Sequence, residues 1–419
     1  MIEINIYIFS VLIFMIYKKI YKKVVNAYTL IIVPYVVILL INNHFATKLN
    51  FIKINEDTQL MIFIGMICFF VGTIVTMTFR QRVKMTYQSN EKNFQEIVKI
   101  ENFLPYIKLV LAIRIIQILI LYSRYGLSGL MANDFELMLT RGWVSHLLLS
   151  IFPLMIILFY KWLENKRNKE YFILYFVYFV LAFIETEKAQ VLSLIVGTFI
   201  YCVCRNHKYL IKGLFIILAA VAVLFVGNYV VKLTLQGYAS DVEGVYYTYR
   251  LWNYIAGGII SSNYVTSASN VPTNAFDFLI ECIFAFPNMF INKLAGSAIG
   301  PDVYQGLPRI SSFVSVTHSV SGFRYQNGNV VSTMTMMWGN GNLFAFTPVC
   351  ILWGMISEYF FGKFKRAPKD ITLILCVCFM TFSFFSFFSS YYIIASFYER
   401  LLWCVAIGWF AQKKIKVRL

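Results

Sequence analysis

Apolar residues along this 419-residue chain come in long, nearly unbroken runs, not in the alternation of a half-buried strand. A helix needs about 20 mostly apolar residues to cross a bilayer, where every backbone polar group must be satisfied without water. Runs of this kind lie at 3–17, 24–42, 58–79, 104–122, 143–161, 171–185, 189–204, 213–231, 343–362, 371–394 and 396–412. The pattern predicts an all-α polytopic membrane protein of about 11 transmembrane helices, of which the first and sixth are short. Segments 251–264 and 276–291 are also apolar but are too short, or too interrupted by Gly and Pro, to be counted as spans.

The polar connections between runs fall into two sets. Connections 18–23, 80–103, 161–170, 205–212, 363–370 and 413–419 total 63 residues and carry 24 Lys and Arg. Connections 1–2, 43–57, 123–142, 186–188 and 232–342 total 151 residues and carry 10. Cytoplasmic loops are enriched in Lys and Arg, so the first set is expected inside, with the amino terminus outside and the carboxyl terminus cytoplasmic. The start, Met1-Ile2-Glu3-Ile4-Asn5, lacks the basic opening of a signal peptide and reads as the outer end of a first span. With no repeat of fixed period and no low-complexity linker, residues 1–419 are expected to form a single integral membrane domain.

Composition supports the same class. The chain is 59% hydrophobic and 14% charged, with mean hydropathy +0.68, whereas a soluble domain is about 25% charged. That excludes a soluble globular protein, a disordered chain and a disulfide scaffold. The net charge of +17 would suggest a nucleic-acid partner if it were spread evenly. Its concentration in the short connections assigns it to membrane topology, with no nucleic acid required.

All the surplus outer length lies in 232–342, about 111 residues, far beyond ordinary loops and of the kind that carries function. Its five basic residues are Lys232, Arg250, Lys293, Arg309 and Arg324. Guanidinium pairs bidentately with phosphate, stays charged when partly dehydrated and stacks on aromatic faces. Arg250 sits between Tyr246-Tyr247-Thr248-Tyr249 and Leu251-Trp252-Asn253-Tyr254, and Arg324 lies in Gly322-Phe323-Arg324-Tyr325. Aromatics such as Tyr249, Trp252 and Tyr325 can cover the apolar faces of sugar rings, and with Asn329 and Arg309 they are the candidate substrate-binding residues of this segment. Ordinary interfacial Arg and Tyr anchors would share this composition.

Within the spans, ionisable residues are costly and default to functional candidates. Arg114 lies mid-span, Glu185-Thr186-Glu187-Lys188 makes a tight polar turn, Glu358 lies near an inner end, and Glu399 and Arg400 open the last span. Arg114 either pairs with Glu185 or Glu187 to fix packing, or lines with Lys188 a cavity for an anionic headgroup. Of four histidines, His44 and His146 lie at outer span ends, His207 in a cytoplasmic turn and His318 between Arg309 and Arg324. No phosphate-binding P-loop and no His-Glu-x-x-His pair occurs. Cys202/Cys204 and Cys376/Cys378 point to nearly opposite helix faces and Cys282 stands alone in the outer segment, so no metal site is expected.

One stretch resembles a known family. Asn327-Gly328-Asn329-Val330-Val331-Ser332-Thr333, then Trp338-Gly339-Asn340-Gly341-Asn342, then a helix with Gly354-Met355-Ile356-Ser357-Glu358-Tyr359, is similar to the late region of bacterial O-antigen and capsule repeat-unit polymerases, the Wzy-type oligosaccharide repeat unit polymerases. Gly300-Pro301-Asp302-Val303-Tyr304, Leu307-Pro308 and the Tyr246–Tyr254 cluster also fit, and the plan of many spans with one large outer loop matches nearly the whole chain. The turn that usually opens with Asp reads Trp338-Gly339-Asn340-Gly341 here, and no outer-loop Arg is followed by Gly eleven residues on.

The resemblance implies a membrane-embedded glycosyltransferase with a GT-C-like fold on the outer face of the bacterial cytoplasmic membrane. Such an enzyme joins polyprenyl-diphosphate-linked oligosaccharides into O-antigen or capsular polysaccharide without cofactor or metal, and the resemblance offers a chain-length regulator in the membrane as a partner. The catalytic role falls by location on Arg250 and Arg324, with His318, Glu187 or Asp302 as candidate base for the acceptor hydroxyl. Two alternatives remain: an O-antigen ligase, and a flippase or transporter of the same lipid-linked sugars.

Overall fold

A computed structural model of the chain describes residues 2–21, 25–46, 52–82, 94–130, 142–184, 188–206, 208–211, 213, 219, 252, 255–268, 271–295, 318–320, 323–325, 331–366 and 369–412. The helices are α1 (Ile2–Tyr21), α2 (Ala27–Phe45), α3 (Glu56–Arg82), α4 (Leu104–Leu130), α5 (Trp143–Glu164), α6 (Lys169–Ile184), α7 (Lys188–Arg205), α8 (Ser262–Ser267), α9 (Ala275–Phe284), α10 (Pro287–Ala295), α11 (Thr333–Trp338), α12 (Leu343–Arg366), α13 (Asp370–Phe384) and α14 (Ala395–Gln412). A short antiparallel hairpin, β1 (His318–Val320) and β2 (Phe323–Tyr325), is the one sheet among the described residues.

Helices α1, α2, α3, α4, α5 and α12, and α13 with the turn that follows it, are long and apolar enough to cross a bilayer. The chain is a multi-pass helical membrane protein. Helices α6, α7 and α14 stand at three more of the expected spans, and of 213–231 only residues 213 and 219 are described. The outward face of α1 shows what surrounds it: Ile4, Ile8, Val11, Leu12 and Met15 are exposed while Ile6, Ile13 and Tyr17 are buried. An apolar face of that size is stable only against lipid or protein.

The expected span 371–394 is not one helix. Helix α13 stops at Phe384, and two single 3-10 turns, Phe385–Phe387 and Tyr391–Ile393, lead to α14. The run is apolar enough to look continuous, but hydroxyls take the freed carbonyls. Tyr35 donates to the Ser386 carbonyl at 2.7 Å and Tyr398 to the Tyr392 carbonyl at 2.8 Å. Irregular backbone is tolerated at membrane depth only where such partners exist.

The helices gather into two compact units, each drawn from alternating stretches of chain. The first holds Met1–Gln88, Glu243–Lys363 and Phe382–Tyr398. In it α3 and α12 touch backbone to backbone: a Cβ on Gly72 would lie 2.0 Å from the Ile351 carbonyl oxygen, and one on Gly354 would lie 2.1 Å from that of Phe69. Small residues allow this approach between apolar helices. The described parts of segment 232–342 are packed into this unit, with Ala256, Ile259, Ile260, Val265, Phe278, Met334 and Met336 buried.

The second unit holds Ser89–Val242, Phe364–Thr381 and Glu399–Leu419. At one of its ends Glu96 bonds Lys161 at 2.5 Å and Arg205 at 3.3 Å, and the Asp370 carboxylate accepts from the Ile97 and Val98 amides at 2.8 and 2.6 Å. Four of the lysine- and arginine-rich connections thus meet at the same end of this unit.

Candidate functional site

Several expected site residues lie outside the described residues: Arg250, Tyr249, Arg309, Glu187, Asn329 and the candidate base Asp302. The hairpin register sets His318 opposite Tyr325 and Ser319 opposite Arg324, so three of the expected residues share one small element of the first unit. Trp252 is buried in the same unit. Lys188 is the first residue of α7, in the second unit.

Arg114 lies within the described residues, in α4 of the second unit. Along α4 the residues Ile107, Val110, Leu111, Arg114 and Ile118 are buried, while Leu109, Ile115, Ile116, Leu119 and Ile120 are exposed. That 3–4 residue spacing is one helix face. Arg114 therefore points into protein, not lipid, and is completely buried. Its Nη1 donates to Gln117 Oε1 at 2.5 Å, one turn along the same helix. A guanidinium offers five N–H donors in a planar fork, so this position sets a multiple hydrogen-bond donor on the protein-facing side of α4.

A second group in the same unit was not anticipated as a group. His146, in the first turn of α5, places Nδ1 2.7 Å from Glu399 Oε2 near the start of α14. Trp403, one turn further along α14, directs its indole N–H at Glu399 Oε1 at 3.3 Å. The next residue, Arg400, is buried with its guanidinium 5.3 Å from the centre of the Phe152 ring. Each of these residues stands out in the sequence, but His146 and Glu399 are 253 positions apart. The usable signal was depth: both lie four or five residues inside the same-facing end of their helices.

Arg114 lies toward the same end. Tyr106 of α4 and Ser150 of α5 are tied by a 2.6 Å hydrogen bond between antiparallel helices. From that tie Arg114 is eight residues along α4, about 12 Å, and His146 is four residues along α5 in the same direction, about 6 Å. One half of the second unit thus collects two buried guanidiniums and a histidine–carboxylate pair.

The first unit contributes a different feature, a layer of buried hydroxyls around broken helices. Ser332 and Ser262 both bond Thr335, the Ser332–Thr335 contact being 2.7 Å, and the Ser332 amide donates to the Gly258 carbonyl at 2.9 Å. Trp353 donates to Tyr392, which donates in turn to Ser383, at 2.9 and 2.7 Å. Tyr35, bonded to this layer through Ser386, is the ninth residue of α2 and so lies about 12–15 Å from either helix end. Glu358 is buried and accepts a hydrogen bond from Tyr21, joining α12 to α1.

The turn before α12 is tightly specified. Gly339 has φ 49°, and a Cβ there would stand 2.2 Å from the Thr273 carbonyl oxygen, which instead accepts from the Asn340 amide at 2.8 Å. Asn342 then caps α12 by accepting from the Phe344 amide at 3.0 Å. No family model, no characterised protein and no solved structure is detectably similar to the chain.

Proposed function

We propose that this chain is a membrane-embedded glycosyltransferase that polymerises polyprenyl-diphosphate-linked oligosaccharide repeat units on the outer face of the bacterial cytoplasmic membrane. In this reading it has about eleven spans in a GT-C-like arrangement, with the amino terminus outside and the carboxyl terminus in the cytoplasm. The observation that carries it is the stretch from Asn327 to Tyr359, whose sequence resembles the repeat-unit polymerases. Its described part is also one of the most constrained pieces of the fold: a buried helix α11, the Gly339 turn and the capped start of α12.

The chemistry asks for what these residues offer. As the glycosidic C–O bond breaks, positive charge grows on the sugar and negative charge on the departing diphosphate. Arg250 and Arg324 are assigned to the leaving diphosphate, with Arg309, Arg114 and Lys188 holding the lipid-linked substrates. Preorganised cations in a water-poor setting stabilise such an anion, each contact being worth about 10²–10³ in rate. Tyr249, Trp252, Tyr325 and Asn329 are assigned to the sugars.

The test is the size distribution of surface polysaccharide in a strain lacking the gene, with and without its restoration. A ladder that collapses to a single repeat unit, and returns with the gene, supports polymerisation. Long polymer retained on its lipid carrier would make the protein a ligase instead. Unpolymerised units accumulating on the cytoplasmic side would make it a flippase.

A further inference from the structure

We infer that α9 dips about halfway into the bilayer hydrocarbon and meets lipid acyl chains along the stripe Phe276, Ile280 and Ile283. In the sequence these residues belong to the long connection 232–342, outside every expected span. Lipid contact here holds whether or not the chain transfers sugars.

Helix α9 is apolar on two sides. Ala275, Phe278 and Ala285 are buried, at spacings of three and seven residues that set them on one face against protein. Phe276, Ile280 and Ile283, at spacings of four and three, form a second stripe and are 48%, 38% and 61% exposed. The two acids of the helix lie off that stripe. Asp277 turns back to accept from the Asn274 amide at 2.9 Å, closing a capping box at the start of α9, and Glu281 follows one turn along the same side. A helix lying in water has the opposite arrangement, with charge outward and apolar side chains inward.

Neighbouring contacts within the first unit give the depth. The Thr273 carbonyl, just before α9, accepts from the Asn340 amide at 2.8 Å, so α9 begins beside the chain that enters α12 at Leu343. From there α9 packs on α11 and on the turn Tyr391–Ile393. Tyr392 of that turn accepts from the Trp353 indole at 2.9 Å, and Trp353 is ten residues past Leu343, about 15 Å along α12. With ten residues, α9 is itself about 15 Å long. It therefore runs from the level of one end of α12 to about the middle of a helix long enough to cross the bilayer. An exposed apolar stripe at that level continues the surface that α1 presents through Ile8, Val11, Leu12 and Met15. The helix ends at Ala285-Phe286, and Pro287 opens α10, where its missing N–H costs no bond. Such a break is tolerated at membrane depth when protein covers it, and Ala285 is buried.

The test is nitroxide accessibility in the purified full-length protein in phospholipid vesicles. In a parent chain carrying Cys204→Ser and Cys282→Ser the remaining cysteines are buried. Single labels are then placed at Phe276→Cys, Ile280→Cys and Ile283→Cys, with Leu12→Cys of α1 as the lipid-facing reference. Collisions with oxygen, which concentrates in hydrocarbon, are expected to exceed those with a water-soluble nickel chelate at all three positions. Ile283→Cys is expected to approach Leu12→Cys and to lie up to about 10 Å deeper than Phe276→Cys. Frequent nickel collisions along the stripe would put α9 in water and overturn the inference. Few collisions with either reagent would mean that protein covers the stripe, a second copy of the chain included, and would overturn it equally. Benzoylphenylalanine in place of Phe276, in a chain with all its cysteines, repeats the test without them. Ultraviolet light should join it to phospholipid, and adducts with protein alone would contradict lipid contact.

Discussion

Residue by residue, the sequence was most readable where a polar group interrupts an apolar run. Arg114 is the clear case, because a guanidinium among isoleucines has no ordinary explanation, and it is indeed buried on the protein-facing stripe of α4. The pairing of His146 with Glu399 was not readable, since each residue alone resembles an interfacial anchor and only three-dimensional packing joins α5 to α14. Substituting Arg114→Gln, which keeps hydrogen-bonding capacity and removes the charge, is expected to slow elongation about 10²–10³-fold while leaving membrane abundance unchanged. Arg250→Ala and Arg324→Ala are expected to behave in the same way. Elongation close to wild type in both Arg250→Ala and Arg324→Ala would place the leaving diphosphate elsewhere, and in Arg114→Gln it would remove Arg114 from substrate binding.

At the level of elements, hydropathy located helices well and their interruptions poorly. Helices α1 to α7 and α12 to α14 fall where the apolar runs predict them, because burial in lipid demands length and apolarity, and both are local properties. The break after Phe384 carries no Gly or Pro to announce it. It exists because Tyr35 and Tyr398, distant in sequence or a helix away, supply hydroxyls to its carbonyls. The crossing of α3 and α12 was equally invisible, since Gly72 and Gly354 matter only when set against each other's backbone. Gly354→Val is expected to destabilise the protein by about 1–3 kcal/mol through overpacking, read as a lower unfolding temperature in detergent. An unchanged temperature would mean that the two helices separate without cost.

Across the whole molecule, charge and chain order predict the threading. Four cationic connections share one end of the second unit through Glu96 and Asp370, as a positive-inside arrangement requires of neighbouring helices. A reporter fused after Leu419 is expected to read cytoplasm and one inserted near residue 270 to read the outside, and the reverse pattern would overturn the topology and the mechanism together. Segment 232–342 was legible only as a composition, because Arg, Tyr and Gly suit the proposed phosphate and sugar contacts without saying which side chains converge. The most direct measurement is of products made by the purified chain alone from extracted lipid-linked repeat units. Polymerisation predicts a ladder of longer glycans still attached to lipid diphosphate, with one polyprenyl diphosphate released for each unit joined. Units recovered unchanged in length, with no polyprenyl diphosphate released, would contradict it.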